Sequence, residues 1–329
     1  MHKRKLGAKG PGVSAIGLGC MGMSDFYGPA DRDEGIATVH AALDAGVTLL
    51  DTGDFYGAGH NEMLIAEALK GRPRDSVELS VKFGAMRDPN GGWVGYDARP
   101  AAVKNFVTYT LKRLNVDHID VYRPARLDPD VPIEDTVGAI ADMAKAGYVR
   151  AIGLSEVGSA TIRRAAAVHP ICDLQIEYSV ITRGIEDNIL PTCRELGIAI
   201  TAYGVLARGL ISGHWSKDRK GDTRGLASRF AGANLDHNLA LVEKLRALAA
   251  ERGASVAQIA IAWALARGDD IIPLVGARRR AQLEESLAAE KLTLSAADLA
   301  AIEEAAPKGA AKGDRYPAQA LAHLDSEKK

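Results

Sequence analysis

The chain has 329 residues, twice the common size of about 150 for one domain but within the range of a single α/β barrel. Its 41 Lys and Arg against 42 Asp and Glu leave a net charge of −1, which excludes a chain-wide attraction to nucleic acid or to an anionic membrane. A hydrophobic share of 47% excludes a disordered chain. The cysteines Cys20, Cys172 and Cys193 form no CxxC pair and no Cys/His cluster, so neither a disulfide scaffold nor a zinc site is expected, and a reducing compartment fits best. The segment MHKRKLGAKG lacks the apolar run of a signal peptide, and nowhere do 18 apolar residues follow one another, so a soluble, cytoplasmic protein is expected.

In chain order, a hairpin that includes Lys5 and Leu6 comes first. Short apolar or β-branched runs then alternate with stretches of helical period. Strands are predicted over Ser14 to Gly19, Val47 to Asp51, Val77 to Lys82, Ile119 to Arg123, Arg150 to Ser155, Leu174 to Glu177, Ile198 to Tyr203 and Ile271 to Val275, each followed by a helix. The helix after the second strand carries Met63, Leu64, Ile65, Ala68 and Leu69 as its apolar face, and Pro100 opens another with Val103, Val107, Leu111 and Leu114. Two insertions break the rhythm: a loop from Gly84 to Arg99 with Trp93 and Tyr96, and a Gly-, Ser- and Arg-rich stretch from Ala207 to Asn234. A last helix from about Ser295 to Ala305 has a capping-box pattern with Asp298, and a polar tail follows. No linker divides residues 1–329. Eight βα units in one series are the number that closes a (β/α)8 TIM barrel, with its N-terminal hairpin and C-terminal extra helix, as one domain whose chemistry sits on the rim of βα loops; an open doubly wound sheet satisfies the same alternation, and the local motifs decide between them.

Gly17-Leu18-Gly19-Cys20-Met21-Gly22 fits the dinucleotide fingerprint G-x-G-x-x-G, but Met23 to Asp31 is loop-like, whereas that fingerprint needs a helix to begin among the glycines. A glycine-rich strand end at a barrel mouth is the better reading. Asp51 and Lys82 each close an apolar strand, where an isolated charge is costly, so they are expected to pair across neighbouring strands. The loop after Asp51 would bring Tyr56 over them, and an ammonium beside a phenol lowers the phenol's pKa. A structural ion pair beside a surface tyrosine satisfies the same residues.

The segments D-T-G-D-F-Y-G, V-K-F-G, G-L-S-E, L-Q-I-E-Y-S and G-A-R-R-R-A-Q-L-E-E-S, in this order over nearly the whole chain, resemble the aldo-keto reductase family. The resemblance implies a TIM barrel that binds NADPH and reduces aldehydes and ketones, with Tyr56 as general acid, Lys82 as the cation that tunes it and Asp51 as its ion-pair partner. It also implies that Ser155, Glu156 and Gln175 hold the nicotinamide carboxamide, although Glu156 stands where the family has Asn and can only accept when ionised. Tyr203 matches the aromatic that stacks on the nicotinamide. Gly19, Met21, Asp51, Leu206, Gly276, Arg278, Gln282, Glu285 and Ser286 complete the expected cofactor site, Ser286 replacing an adenine-contacting Asn. The run Arg278 to Arg280 at a helix start suggests an anion such as the 2′-phosphate of NADP, a solvated basic face being the alternative.

One position departs from the pattern. The run Tyr122-Arg123-Pro124-Ala125-Arg126-Leu127-Asp128-Pro129 has Ala125 where the family places a His thought to orient the substrate carbonyl. Arg123 and Arg126 are expected to form salt bridges with rim carboxylates, a donor aimed into the site being the alternative. His60, on the active rim at a helix start, is expected to be solvated, a substitute donor being the alternative, and His118 is expected to lie on the opposite, stability face. Tyr56, Met86, Trp93, Tyr96, Ala125 and Trp215 are the expected walls of the substrate pocket. The expected partners are thus NADPH or NADP+ and a small carbonyl compound, with no metal, nucleic acid or membrane. An NADPH-binding sensor or regulatory barrel with little or no turnover is the competing reading. A metal-dependent barrel hydrolase is weakened because no His-x-His or carboxylate cluster closes a strand.

Overall fold

Apolar residues in the first 14 positions are few, and they decide where the opening hairpin goes. In the computed structural model, which describes residues 1–24, 27–215 and 223–328, β1 (Lys3–Lys5) pairs antiparallel with β2 (Gly12–Ser14). Leu6 and Val13 are fully buried with Val121, Cys172, Ala199 and Ile272, so the hairpin closes the end of the barrel at which the strands begin. Ser14 therefore belongs to the hairpin, and the first barrel strand is shorter than expected.

Eight parallel strands follow: β3 (Gly17–Gly19), β4 (Leu49–Gly53), β5 (Glu78–Phe83), then, after the hairpin of β6 (Ala85–Arg87) and β7 (Trp93–Tyr96), β8 (Ile119–Pro124), β9 (Val149–Ser155), β10 (Ile171–Glu177), β11 (Ala199–Tyr203) and β12 (Ile271–Gly276). They bond in sequence order, and β12 closes on β3 with Leu274 opposite Gly17 and Gly276 opposite Gly19. The result is the (β/α)8 barrel that the alternation of patterns predicts. Strands covered by helices outside and by one another's side chains inside are buried on both faces, which is why they read as largely apolar runs, with Asp51, Asp120, Arg123 and Asp173 as buried charged exceptions.

The helices are α1 (Arg32–Asp44), α2 (His60–Ala68), α3 (Pro100–Leu114), α4 (Ile133–Lys145), α5 (Ser159–Val168), α6 (Ile189–Leu196), α7 (Gly232–Glu251), α8 (Val256–Leu265), α9 (Arg280–Leu287), α10 (Ala296–Ala305) and α11 (Ala318–Leu321). In α3, Val103, Val107 and Leu114 face the barrel as expected. In α2, Leu64, Ile65 and Ala68 do so, but Met63, one step round the helix, is 50% exposed and not part of the apolar face. Truncating Leu64 to Ala would cost about 2–5 kcal/mol. Ser295 and Asp298 form the predicted capping box at α10.

Two segments differ from expectation, and a third agrees with it. The insertion after β5 is a β-hairpin rather than an irregular loop; it starts at Gly84, whose φ of +86° and the Asp97 carbonyl oxygen, 2.6 Å from where a Cβ would stand, demand glycine. Between β11 and β12 the described chain forms two helices, α7 and α8, and residues 216–222 of that insertion lie outside the described residues. After β3 comes a single 3-10 turn (Met21–Met23), and α1 begins only at Arg32, capped by Asp31, so no α-helix starts among the glycines of Gly17 to Gly22. The expected loop from Met23 to Asp31 includes residues 25 and 26, which are not described.

Candidate active site

Because the strands are parallel, every residue that ends one lies on the same rim. β4 and β5 pair with Asp51 opposite Ser80 and Gly53 opposite Lys82. Asp51 forms an ion pair with Lys82 and also accepts from the Ser80 hydroxyl at 2.9 Å and from Gln175 Nε2 at 2.6 Å. After β4 the chain bends sharply: Gly57 and Ala58 both have left-handed φ, +56° and +50°, the second unusual for a residue with a side chain. This bend folds Tyr56 back over the rim, where it is 6% exposed and Lys82 Nζ stands 5.2 Å from its ring centroid. Phe55 supports the ring edge-on at 4.7 Å.

Burial and then Asp51 raise the Tyr56 phenol well above its ordinary value, with Arg126 pulling it back. This corrects the sequence expectation, in which Lys82 draws the phenol down. Burial lowers Lys82, the Asp51 carboxylate opposes that, and Arg123 adds to it. The positive charge of Lys82 is committed first to Asp51. The phenol therefore keeps its proton at neutral pH.

The fourth strand end carries no imidazole. Ala125, almost fully buried, presents a methyl group. Arg123 is paired with Asp173 at 2.9 Å and approaches Asp51 at 3.9 Å, so it forms the expected salt bridge but in the barrel interior. Arg126 does not: among the described residues no carboxylate lies within 4.0 Å of it. His60 is half-buried and its Nδ1 is 2.8 Å from the Ser24 hydroxyl, so it is tied down rather than solvated. His118 sits at the start of β8 beside Asp117 and Asp120, on the opposite face as expected.

At the ends of β9 and β10, Ser155 and Gln175 are direct register partners. Glu156, with φ +52°, follows Ser155 and is fully buried. Its carboxylate accepts from Arg315 at 2.5 and 2.9 Å, from the Tyr203 and Ser326 hydroxyls at 2.6 Å each, and from the Glu177 N–H at 3.0 Å. Burial would raise this carboxyl, but the charge and hydrogen bonds of Arg315, with Arg126 and Ser326, hold it down at about 2. Five donors exhaust its accepting capacity. Tyr203 also meets the Tyr316 hydroxyl at 2.8 Å, and Arg208 lies 3.7 Å from the centre of the Tyr316 ring. The polar tail thus folds back over the rim, with Arg315 only 7% exposed and the Asp325 carboxylate accepting from the Gly158 N–H at 2.9 Å. Sequence reasoning missed Arg315 and Tyr316. Their signal was indirect: Glu156 and Glu177 follow or close buried strands and required a cation.

Around β12 and α9 the three arginines diverge. Arg278 donates to the Tyr27 carbonyl at 2.8 Å, its own N–H donates to Gln282 at 3.1 Å, Arg280 pairs with Glu34 at 3.0 Å, and Arg279 is exposed. Gly19, Met21 and Leu206 are half-buried on the rim, Gly276 is exposed, Ser286 is buried, and Glu285 lies 3.8 Å from His214. Of the expected pocket walls, Trp93 is 53% exposed but contacts Phe55 at 5.7 Å and carries Arg87 over its ring at 4.5 Å. Met86 is half-buried on β6, and Tyr96 meets His323 of the tail at 5.7 Å. Trp215 stacks on Phe230. Among the described residues no group of three or more His, Cys, Asp or Glu could hold a metal, and no helix is long and apolar enough to cross a membrane.

A closed eight-stranded parallel barrel carries a phenol, an ammonium and a carboxylate buried together on its C-terminal rim, groups that can hold and exchange a proton. The aldo/keto reductase family model matches residues 15–307. A curated relative from Glycine max, "Probable aldo-keto reductase 1", is 41% identical over 317 residues, 95% of this chain and 91% of its own. Among solved structures, the glycerol dehydrogenase AKR11B4 from Gluconobacter oxydans superposes with a TM-score of 0.83 at 27% identity, covering 99% of this chain and 97% of its own. The holo form of aldo-keto reductase AKR11C1 from Bacillus halodurans gives 0.79 at 28% identity, covering 93% and 96%. The chain belongs to the aldo/keto reductase family, whose chemistry is the oxidoreduction of carbonyl groups.

Proposed function

We propose that the protein reduces aldehydes and ketones to alcohols with NADPH, using Tyr56 as proton donor. The observation that carries this is the protonated, buried phenol placed over the Asp51–Lys82 pair at the barrel mouth. The donor set beside it suits a nicotinamide carboxamide. Gln175 spends its Nε2 on Asp51 and leaves its amide oxygen to accept, while its register partner Ser155 offers a hydroxyl. Arg278 and Arg279 supply positive charge that favours a 2′-phosphate, Arg280 being held by Glu34, with Gln282 and Ser286 on the helix that follows. When bound, the reduced dinucleotide supplies a hydride.

Tyr56 gives its proton to the carbonyl oxygen as that oxygen gains negative charge, and the nearby ammonium of Lys82 stabilises the phenolate left behind. Asp51 holds that ammonium in place and, through Ser80 and Gln175, fixes its own position. Glu156 anchors the C-terminal segment over the mouth through Arg315 and Ser326, which restricts water at the rim. The three buried free thiols fit a reducing, cytoplasmic setting, and the unbroken closed sheet fits a single domain over residues 1–329. A fluorescence titration with NADPH and NADH, followed by turnover on a panel of aromatic aldehydes and pyridoxal, tests the reading. Tighter NADPH binding with NADPH oxidation supports it. Tight binding without oxidation of any carbonyl supports instead a sensor barrel, a reading favoured by the Ala125 methyl at the fourth strand end.

A further inference from the structure

Arg126 follows β8 and Ala125, and its side chain turns back toward the barrel. Nη1 donates to the Ala125 carbonyl at 2.6 Å and reaches the Ser155 hydroxyl, on the next strand end, at 3.4 Å. Nearby buried arginines are each neutralised: Arg123 by Asp173, Arg229 by Glu177 at 3.7 Å, and Arg315 by Glu156. Arg126 has no carboxylate within ion-pair distance among the described residues. Its charge acts through space on Tyr56, and Tyr203, Tyr316, Glu156 and Tyr96 stabilise it in turn without an ion pair. A half-buried guanidinium at the rim with no ion pair keeps its charge uncompensated, and such a cation is useful where negative charge develops during a reaction.

We propose that Arg126 is a catalytic residue that donates a hydrogen bond to the substrate's carbonyl oxygen, the second donor there beside Tyr56, and does the work a methyl group at position 125 cannot. The proposal rests on the reductase reading above. As hydride adds to the carbonyl carbon, the C=O π pair moves onto oxygen; Tyr56 transfers its proton to that oxygen, and Arg126 keeps all its protons while stabilising the charge. A guanidinium does not titrate below about pH 12, so it holds this role without the ionisation near pH 6.5 that an imidazole would bring.

The test uses Arg126→Met, Arg126→Lys, Arg126→Ala, the double variant Ala125→His with Arg126→Met, and Tyr56→Phe, assayed with NADPH on 4-nitrobenzaldehyde and 4-carboxybenzaldehyde. Arg126→Met is expected to lower kcat/KM about 100-fold on both aldehydes, the cost of removing one oxyanion donor, with the NADPH Kd unchanged within about twofold. Added guanidinium ion should restore part of the activity of Arg126→Ala. The double variant should recover turnover with a new ionisation near pH 6.5 in its kcat/KM profile, a readout that a merely structural arginine would not produce. If Arg126→Met does not fold, Arg126→Lys and the guanidinium rescue decide. Full activity of Arg126→Met beside an inactive Tyr56→Phe overturns this proposal and leaves the reductase reading intact. A loss confined to the carboxylated aldehyde also overturns it, making Arg126 a carboxylate clamp. No NADPH oxidation by the wild type on either aldehyde or on the wider panel overturns both.

Discussion

Replacing Arg315 by Met keeps most of the side-chain volume and removes the cation that ties the C-terminal segment to the barrel. Arg315 contacts Glu156 at 2.5 Å, Glu327 at 2.8 Å and Glu177 at 3.3 Å. Glu177 keeps Arg229 at 3.7 Å and the Thr182 hydroxyl at 3.0 Å, so the loss falls on Glu156, which is fully buried. Its carboxyl lies at about 2 in the folded protein. The gap from there to the usual value of about 4.3, at about 1.4 kcal/mol per pH unit, gives roughly 3 kcal/mol, in line with the cost of breaking a buried pair from one side. Because this carboxyl is depressed by folding, its contribution is complete above about pH 5 and disappears as pH falls through 4 toward 2. Urea unfolding followed by tryptophan fluorescence should therefore show Arg315→Met destabilised by about 3 kcal/mol at pH 7 and by progressively less below pH 4.5. Adding Glu156→Gln should recover part of the loss, since the stranded charge is gone. A cost below about 1 kcal/mol at pH 7, the range of an exposed pair, would refute this energetic role for the buried pair.

Asp54 is pushed up to about 8 by burial and then by Glu62, against the Gly84 N–H and Arg113. Between about pH 4 and 8 the folded protein thus holds a proton that the unfolded chain has released, so stability from this group falls as pH rises. Asp54→Asn should gain thermal stability relative to the wild type on going from pH 5 to 8; a Tm difference that stays flat over that range contradicts it. Arg278→Ala should weaken NADPH binding about tenfold or more in a fluorescence titration and NADH binding much less, as expected for a lost charge-assisted contact to phosphate. Equal weakening of the two would place Arg278 in support of the loop at Tyr27 rather than at a phosphate.

The barrel was legible in the sequence because most strands, buried on both faces, read as largely apolar runs, and because Asp51 and Lys82 each follow apolar residues toward the rim. A charge in that place advertises a partner. Other features depend on contacts that no local pattern carries. Arg315 meets Glu156 and Glu177 across well over a hundred residues of chain, and the tail around it has no apolar period to announce that it folds back. The hairpin β6–β7 hides in a glycine-rich stretch whose alternating faces are both partly exposed. Met63 shows the limit of periodicity from the other side: it adjoins an apolar stripe in sequence but sits one step off it in space. Arg123 and Arg126 look equivalent in sequence, three residues apart, yet only Arg123 points inward to a carboxylate, Asp173. The direction of the Tyr56 shift was likewise misjudged, because burial and Asp51 outweigh a cation already engaged by that same carboxylate.

The central claim is that Tyr56 is the proton donor of a carbonyl reductase. The most direct measurement is steady-state NADPH oxidation by Tyr56→Phe on an aldehyde that the wild type reduces, alongside NADPH titration of the same variant. Loss of at least about 10²–10⁴-fold in kcat with an NADPH Kd close to wild type is the predicted result, since the ring and its packing remain and only the acidic proton is gone. Turnover retained within a few-fold of wild type would contradict the assignment.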